Sequence, residues 1–294
     1  MNIVLWLLAF AVTLGAATYQ RLTGPTHPLR GNVSIDGEPL RYRLIRSGSS
    51  SADARVELPD ASAGVSGTLH FKRFKTADPF TSVALERSAG RLAAALPRQP
   101  AAGKLEYFLT LSTAEDSQRV PAGENETVVI RFKDDVPAFV LIPHILAMFL
   151  SILIGMRAGL GALVGEAKTR VLSWVTLGGL TLGGMILGPM VQKYAFGAFW
   201  TGFPFGGDLT DNKTLIMWLC WVVACGVLAL ARREGRSRSS APTRVSLTAR
   251  MIVLGAAVVM TIVFLIPHSL RGSELDYDAV DRGLDPSQAI ETGR

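Results

Sequence analysis

Ala138-Phe139-Val140-Leu141-Ile142-Pro143-His144-Ile145-Leu146-Ala147-Met148-Phe149-Leu150-Ser151-Ile152-Leu153-Ile154-Gly155-Met156 is a stretch of nineteen residues without Asp, Glu, Lys or Arg. A helix of that length rises about 1.5 Å per residue and comes close to crossing the ~30 Å of hydrocarbon in a bilayer. The chain just before it reads differently: Arg131-Phe132-Lys133 ends an alternating pattern, and Asp134-Asp135-Val136-Pro137 forms a polar hinge. This change of period predicts two halves, one of strands and one of membrane-spanning helices.

Three further charge-free runs follow, Val171–Val191, Leu215–Ala231 and Met251–His268, and a shorter one covers Ile3 to Thr18. Backbone in lipid is satisfied only in helices or closed barrels, and these runs lack the alternation of barrel strands. The 294-residue chain, 49% hydrophobic with a mean hydropathy of +0.31, is too apolar for an ordinary soluble domain. The sequence therefore predicts a bundle of four helices, 138–156, 171–191, 214–231 and 251–268, after an N-terminal signal-anchor helix over 1–19. Only Met1 and Asn2 precede the first apolar run, so the positive start of a signal peptide is missing. Small residues at Gly15 and Ala17 would nevertheless permit cleavage.

The net charge of +6 is unevenly placed. Segment 20–137 has 16 basic and 14 acidic residues. Loop 192–214 is neutral, and the tail 269–294 has three arginines against six acids. Loop 157–170 carries Arg157, Lys168 and Arg170 against Glu166; loop 232–250 carries six arginines against Glu234. The whole excess sits in these two loops, the signature of the positive-inside rule and not of a nucleic-acid footprint. They are expected in the cytoplasm, with 20–137, 192–214 and the tail outside, in a bacterial inner membrane.

Between Arg30 and Lys133 the period is that of strands. Asp36-Gly37 between alternating runs is a strong hairpin signal. Further strands are expected at Arg55–Leu58, Val65–Arg73, Thr81–Arg87, Arg91–Leu96, Lys104–Ser112 and Thr127–Lys133, and Leu105, Tyr107, Leu109 and Leu111 share one face. Eight short strands without a helical stretch point to an antiparallel β-sandwich of immunoglobulin-like architecture at 20–137. The region has no cysteine; Cys220 and Cys225 both fall in the helix expected at 214–231, on different faces. Asn32-Val33-Ser34 and Asn125-Glu126-Thr127 match glycosylation triplets, which carry no weight in a bacterium.

In the helical half, Gly179/Gly183 and Gly184/Gly188 are spaced four apart, which predicts close helix packing. Six aromatics lie between Tyr194 and Phe205, matching an interfacial belt. Thr210 and Asp211 are placed to cap the next helix. Asp208-x-Thr210-x-Asn212 resembles the start of a calcium loop, but Lys213 stands where glycine is required. Two of four histidines share one context, Leu141-Ile142-Pro143-His144 and Leu265-Ile266-Pro267-His268. The topology puts both in the outer leaflet, near Asp208, Asp211, Glu274 and Asp276, and Met148 is one turn from His144. Three readings stand: structural histidines bonded to loop carbonyls or carboxylates, a haem or transition-metal site using His144, His268 and Met148, or a proton-responsive pair.

Tyr19-Gln20-Arg21-Leu22-Thr23-Gly24-Pro25-Thr26, Gln192–Lys213, and Ile266-Pro267-His268-Ser269 with Gly272-Ser273-Glu274-Leu275-Asp276-Tyr277 carry a resemblance. Together they resemble a family of uncharacterised multi-pass bacterial inner-membrane proteins with an exported sandwich followed by four helices. The resemblance implies location and architecture and assigns no catalytic residue. The expected role is non-enzymatic: binding or scaffolding of an envelope protein partner in the lipid bilayer, without nucleic acid. The alternative is a redox or metal-handling protein using His144 and His268.

Overall fold

The computed structural model describes residues 2–59, 64–238, 245–268, 270 and 272–291. The chain forms two compact units, one helical and one of β strands. Part of the arginine-rich loop 232–250 lies outside the described residues.

The helical unit opens with α1 (Asn2–Thr23). The β unit follows as β1 (Leu29–Ile35), β2 (Glu38–Leu44), β3 (Ser47–Ser49), β4 (Ala54–Pro59), β5 (Ser66–Arg73) and β6 (Thr81–Ala84). It continues with β7 (Glu86–Ser88), β8 (Arg91–Leu96), β9 (Lys104–Ser112), β10 (Ser117–Val120) and β11 (Val128–Lys133). Strands β1 and β2 form the expected hairpin, and Asp36 and Gly37 both take positive φ (51° and 79°), as a tight two-residue turn demands. One sheet runs β3-β11-β9-β5-β6 with β10 on β9; another runs β4-β8-β7.

The apolar faces of these strands share a core. Leu105, Tyr107, Leu109 and Leu111 are buried, as the alternation requires, and meet Leu44, Leu58, Leu92 and Leu96. The buried Tyr107 hydroxyl donates to the Ile45 carbonyl at 2.7 Å, satisfying its polar tip. The single strand expected at Thr81–Arg87 is divided. Its first half pairs with β5, its second with β8, and Leu85 is buried at the break. Leu85 thus lets one chain segment pass from one sheet to the other. The pairing is not wholly antiparallel: the short β3 runs parallel to β11.

The final segment, expected only as an acidic tail, is ordered within the β unit. It forms β12 (Glu274–Leu275), helix α7 (Tyr277–Asp281) and β13 (Ile290–Glu291), with β12 and β13 paired.

The helical unit contains α2 (Ala138–Leu163), α3 (Thr169–Leu180), a π-helical segment (Thr181–Leu187), α4 (Gly188–Phe196), α5 (Leu209–Arg238) and α6 (Leu247–Leu265). Here α4 completes the third span. Among the described residues, five helices are long and apolar enough to cross a membrane. Ile3, Leu7, Phe139, Leu146, Val175, Leu219 and Val258 are exposed, whereas Ser151, Ser173 and Thr176 are buried. Apolar outside and small or polar inside is the packing expected of helices in lipid.

The glycines explain the close approach. A Cβ on Gly179 would fall on Ser151 Oγ, one on Gly183 would meet Ala147 at 3.0 Å, and one on Gly184 would meet Thr214 at 2.9 Å. Gly188 has ordinary clearance, with the Gly183 carbonyl at 3.5 Å. Pro189 has no N–H to give the preceding turn, and the turn widens: the Gly188 N–H donates to the Gly183 carbonyl, five residues back.

Candidate functional site

His144 enters the helical unit from the second turn of α2. Pro143, in the same early stretch, is accommodated within the helix. The imidazole Nδ1–H donates to the Gly183 carbonyl at 2.9 Å, so the ring is oriented by the widened turn of the third span. The Met148 sulfur also lies against this turn, 3.1 Å from where a Gly183 Cβ would sit.

The second Pro-His step behaves differently. Proline disfavours helical backbone in the residue before it. Ile266 is accordingly extended (φ −69°, ψ 118°), α6 stops at Leu265, and His268 lies beyond the helix. The sequence expectation of a helix through residue 268 is corrected here. His268 is exposed, yet within electrostatic reach of both His144 and Lys213.

Lys213 is the residue that sequence reasoning missed. The charge pattern places it in loop 192–214, but α5 begins at Leu209 and buries it to 4% exposure. Its ammonium donates to the Ile266 carbonyl, with Asp208 within electrostatic reach. Gln20 Nε2 donates to the Phe264 and Ile266 carbonyls at 2.6 and 3.3 Å. Two donors therefore satisfy the open end of α6, where unpaired carbonyls and the negative end of the helix dipole attract a cation. A lone lysine at the start of a charge-free run was the available signal.

The candidate carboxylates are committed to the fold. Asp208 Oδ1 accepts from the Thr210 and Asp211 N–H groups at 2.8 and 3.3 Å, capping α5. The cap expected from Thr210 or Asp211 thus moves back to Asp208, because the helix starts earlier. Asp211 accepts from the Thr201 N–H at 2.6 Å and its hydroxyl at 3.3 Å, closing the aromatic loop onto α5. Arg157, also assigned to a loop, is fully buried inside α2 and donates to Glu166 and Asn2 at 2.5 and 2.6 Å.

Glu274 and Asp276 belong to the β unit, whereas His144, His268, Asp208 and Asp211 belong to the helical one. The Glu274 carboxylate joins Lys75 (2.6 Å) and Lys104. Burial pushes its pKa up, but the two lysines outweigh this and hold it below the usual carboxylate range. Burial also lowers the Lys104 pKa. Asp276 Oδ1 accepts from the Ala279 N–H at 3.0 Å and caps α7. The Tyr277 hydroxyl accepts from the Lys104 N–H at 3.0 Å and donates to its carbonyl at 2.9 Å. Arg73 forms paired hydrogen bonds to both Asp78 and Asp281, and its guanidinium holds Asp78 below the usual range.

The chain matches no protein-family model and no curated protein sequence. Among the described residues, no three His, Cys, Asp or Glu side chains are grouped to hold a metal ion. His144 retains Nε2 as the ring nitrogen free of the Gly183 bond, His268 lies within its electrostatic reach, and the Met148 sulfur lies against the same turn.

Proposed function

We propose that this is an integral bacterial inner-membrane protein whose β unit, an immunoglobulin-like sandwich on the periplasmic side, binds or organises an envelope protein partner. The arginine excess of loops 157–170 and 232–250 supports the orientation. One observation carries the scaffold reading: the acids that sequence reasoning nominated are occupied in building the fold. Asp208 and Asp276 cap helices, Asp211 holds Thr201, and Glu274 joins two lysines. Reporter fusions after Lys104 and after residue 238 test the topology; activity of the first inside the cell overturns it. Photo-crosslinking in living cells from the exposed face of the β unit tests the role. A discrete heteromeric adduct is expected, and exclusive self-adducts would overturn the scaffold reading.

A second reading keeps His144 and His268 as ligands of haem or a transition metal. What favours it is the Nδ1–H bond to the Gly183 carbonyl, which orients the ring and leaves Nε2 to coordinate. A Soret band or stoichiometric metal in purified protein, lost in His144→Ala, would establish this reading over the first.

A further inference from the structure

The outer side of the hairpin carries charges that the fold does not use. Arg30 and Arg43 are directly opposite each other across β1 and β2, with Arg41 two residues along and opposite Asn32. Like charges facing one another across a ladder are unfavourable. All three side chains are exposed, and none has an acid partner among the described residues. Arg55 and Arg91, from β4 and β8, complete the set and share Glu57, the single acid of the groove among the described residues, at 2.7 and 3.2 Å. These residues line one groove of about 680 Å3, whose remaining wall includes Tyr42, Ile45 and Pro59.

We infer that this groove binds an acidic, extended peptide segment of a protein partner, an inference that rests on the scaffold reading above. The arginines sit on pleated strands, so Arg41 and Arg43 repeat at about 6.8 Å. Acids at alternate positions of an extended peptide repeat at the same spacing. Guanidinium groups take carboxylates in bidentate fashion. Ile45 and Pro59, also in the lining, supply apolar contact for side-chain methylene and methyl groups, which an inorganic polyanion would leave unused. Charge complementarity of this kind sets partner choice and on-rate.

The test uses the full chain in zwitterionic detergent and a fluorescein-labelled decapeptide alternating Glu and Thr, read by anisotropy. The expected result is saturable binding, weakened by added salt and at least tenfold weaker in Arg41→Ala/Arg43→Ala. The Gln–Thr peptide is expected not to bind. Unchanged affinity in the double variant overturns the inference. So does displacement by inorganic polyphosphate or phosphatidylglycerol vesicles at equal charge concentration, which assigns the groove to phosphate groups instead. Failure of the unaltered chain to bind the Glu–Thr peptide, with the in-cell adduct retained, breaks this inference alone; absence of the adduct breaks the scaffold reading beneath it.

Discussion

Two clusters of charge in the β unit invite comparison. In one, Glu274 sits between Lys75 and Lys104 while Arg73 engages Asp78 and Asp281, so cation and anion are matched. In the other, among the described residues, five arginines line a groove with one glutamate, which pairs with Arg55 and Arg91. The first cluster fastens the final segment of the chain to the sheet: Tyr277 exchanges hydrogen bonds with the Lys104 backbone, and Arg131 donates to the Ser273 carbonyl at 2.6 Å. The second fastens nothing in the described residues. Matched charge holds the fold together, whereas the unmatched charge at the exposed groove is what the proposed acidic peptide would engage.

The largest expected effect breaks the matched cluster. Glu274→Ala strands Lys104, whose side chain is only 15% exposed, without its acid. Leaving a largely buried charged group unpaired costs about 2 kcal/mol, to be read as a lower unfolding midpoint of the β unit. An unchanged midpoint would mean that the bridge does not hold the segment. Arg73→Ala should cost less, because Asp281 is half exposed and water screens the pair. Faster amide exchange in α7 is the readout.

A graded effect follows from pH. Glu274 and Asp78 both have pKa values held below the usual range in the folded protein. Their contribution is therefore complete above the unfolded carboxylate range and is lost as pH falls below about 4. Exchange of amides in 274–281 should rise over that window; a flat profile would remove the electrostatic account of the docking. The smallest effect is expected in the groove. Arg43→Ala should change stability by less than about 0.5 kcal/mol, with a slight gain from relief of the Arg30 repulsion. A clear loss of thermal stability would show that Arg43 supports the fold and would erase the contrast between the clusters.

The two Pro-His steps show how much depends on position. Leu141-Ile142-Pro143-His144 and Leu265-Ile266-Pro267-His268 read alike, but the first lies early in α2 and the second ends α6. Pro143 lies inside α2, where it takes one ladder donor from the Phe139 carbonyl but the helix continues; Pro267 forces Ile266 into extended backbone, and α6 ends at Leu265. His144 consequently sits in a helix against a carbonyl, while His268 lies past one.

What the sequence determined by itself rests on short range. Charge-free runs near the bilayer length set the spans, arginine excess sets the expected sidedness, and Asp36-Gly37 with the alternating residues 105–111 sets hairpin and core face. Each of these is decided by neighbours along the chain. Only tertiary structure could decide that Leu85 carries a strand from sheet to sheet, or that Lys213 turns inward to the end of α6. The same holds for the acidic final segment, which pairs with Lys75, Lys104 and Arg73 about two hundred residues earlier. Their partners are remote in sequence, and burial and pairing are properties of a place in the fold, not of a residue in its string.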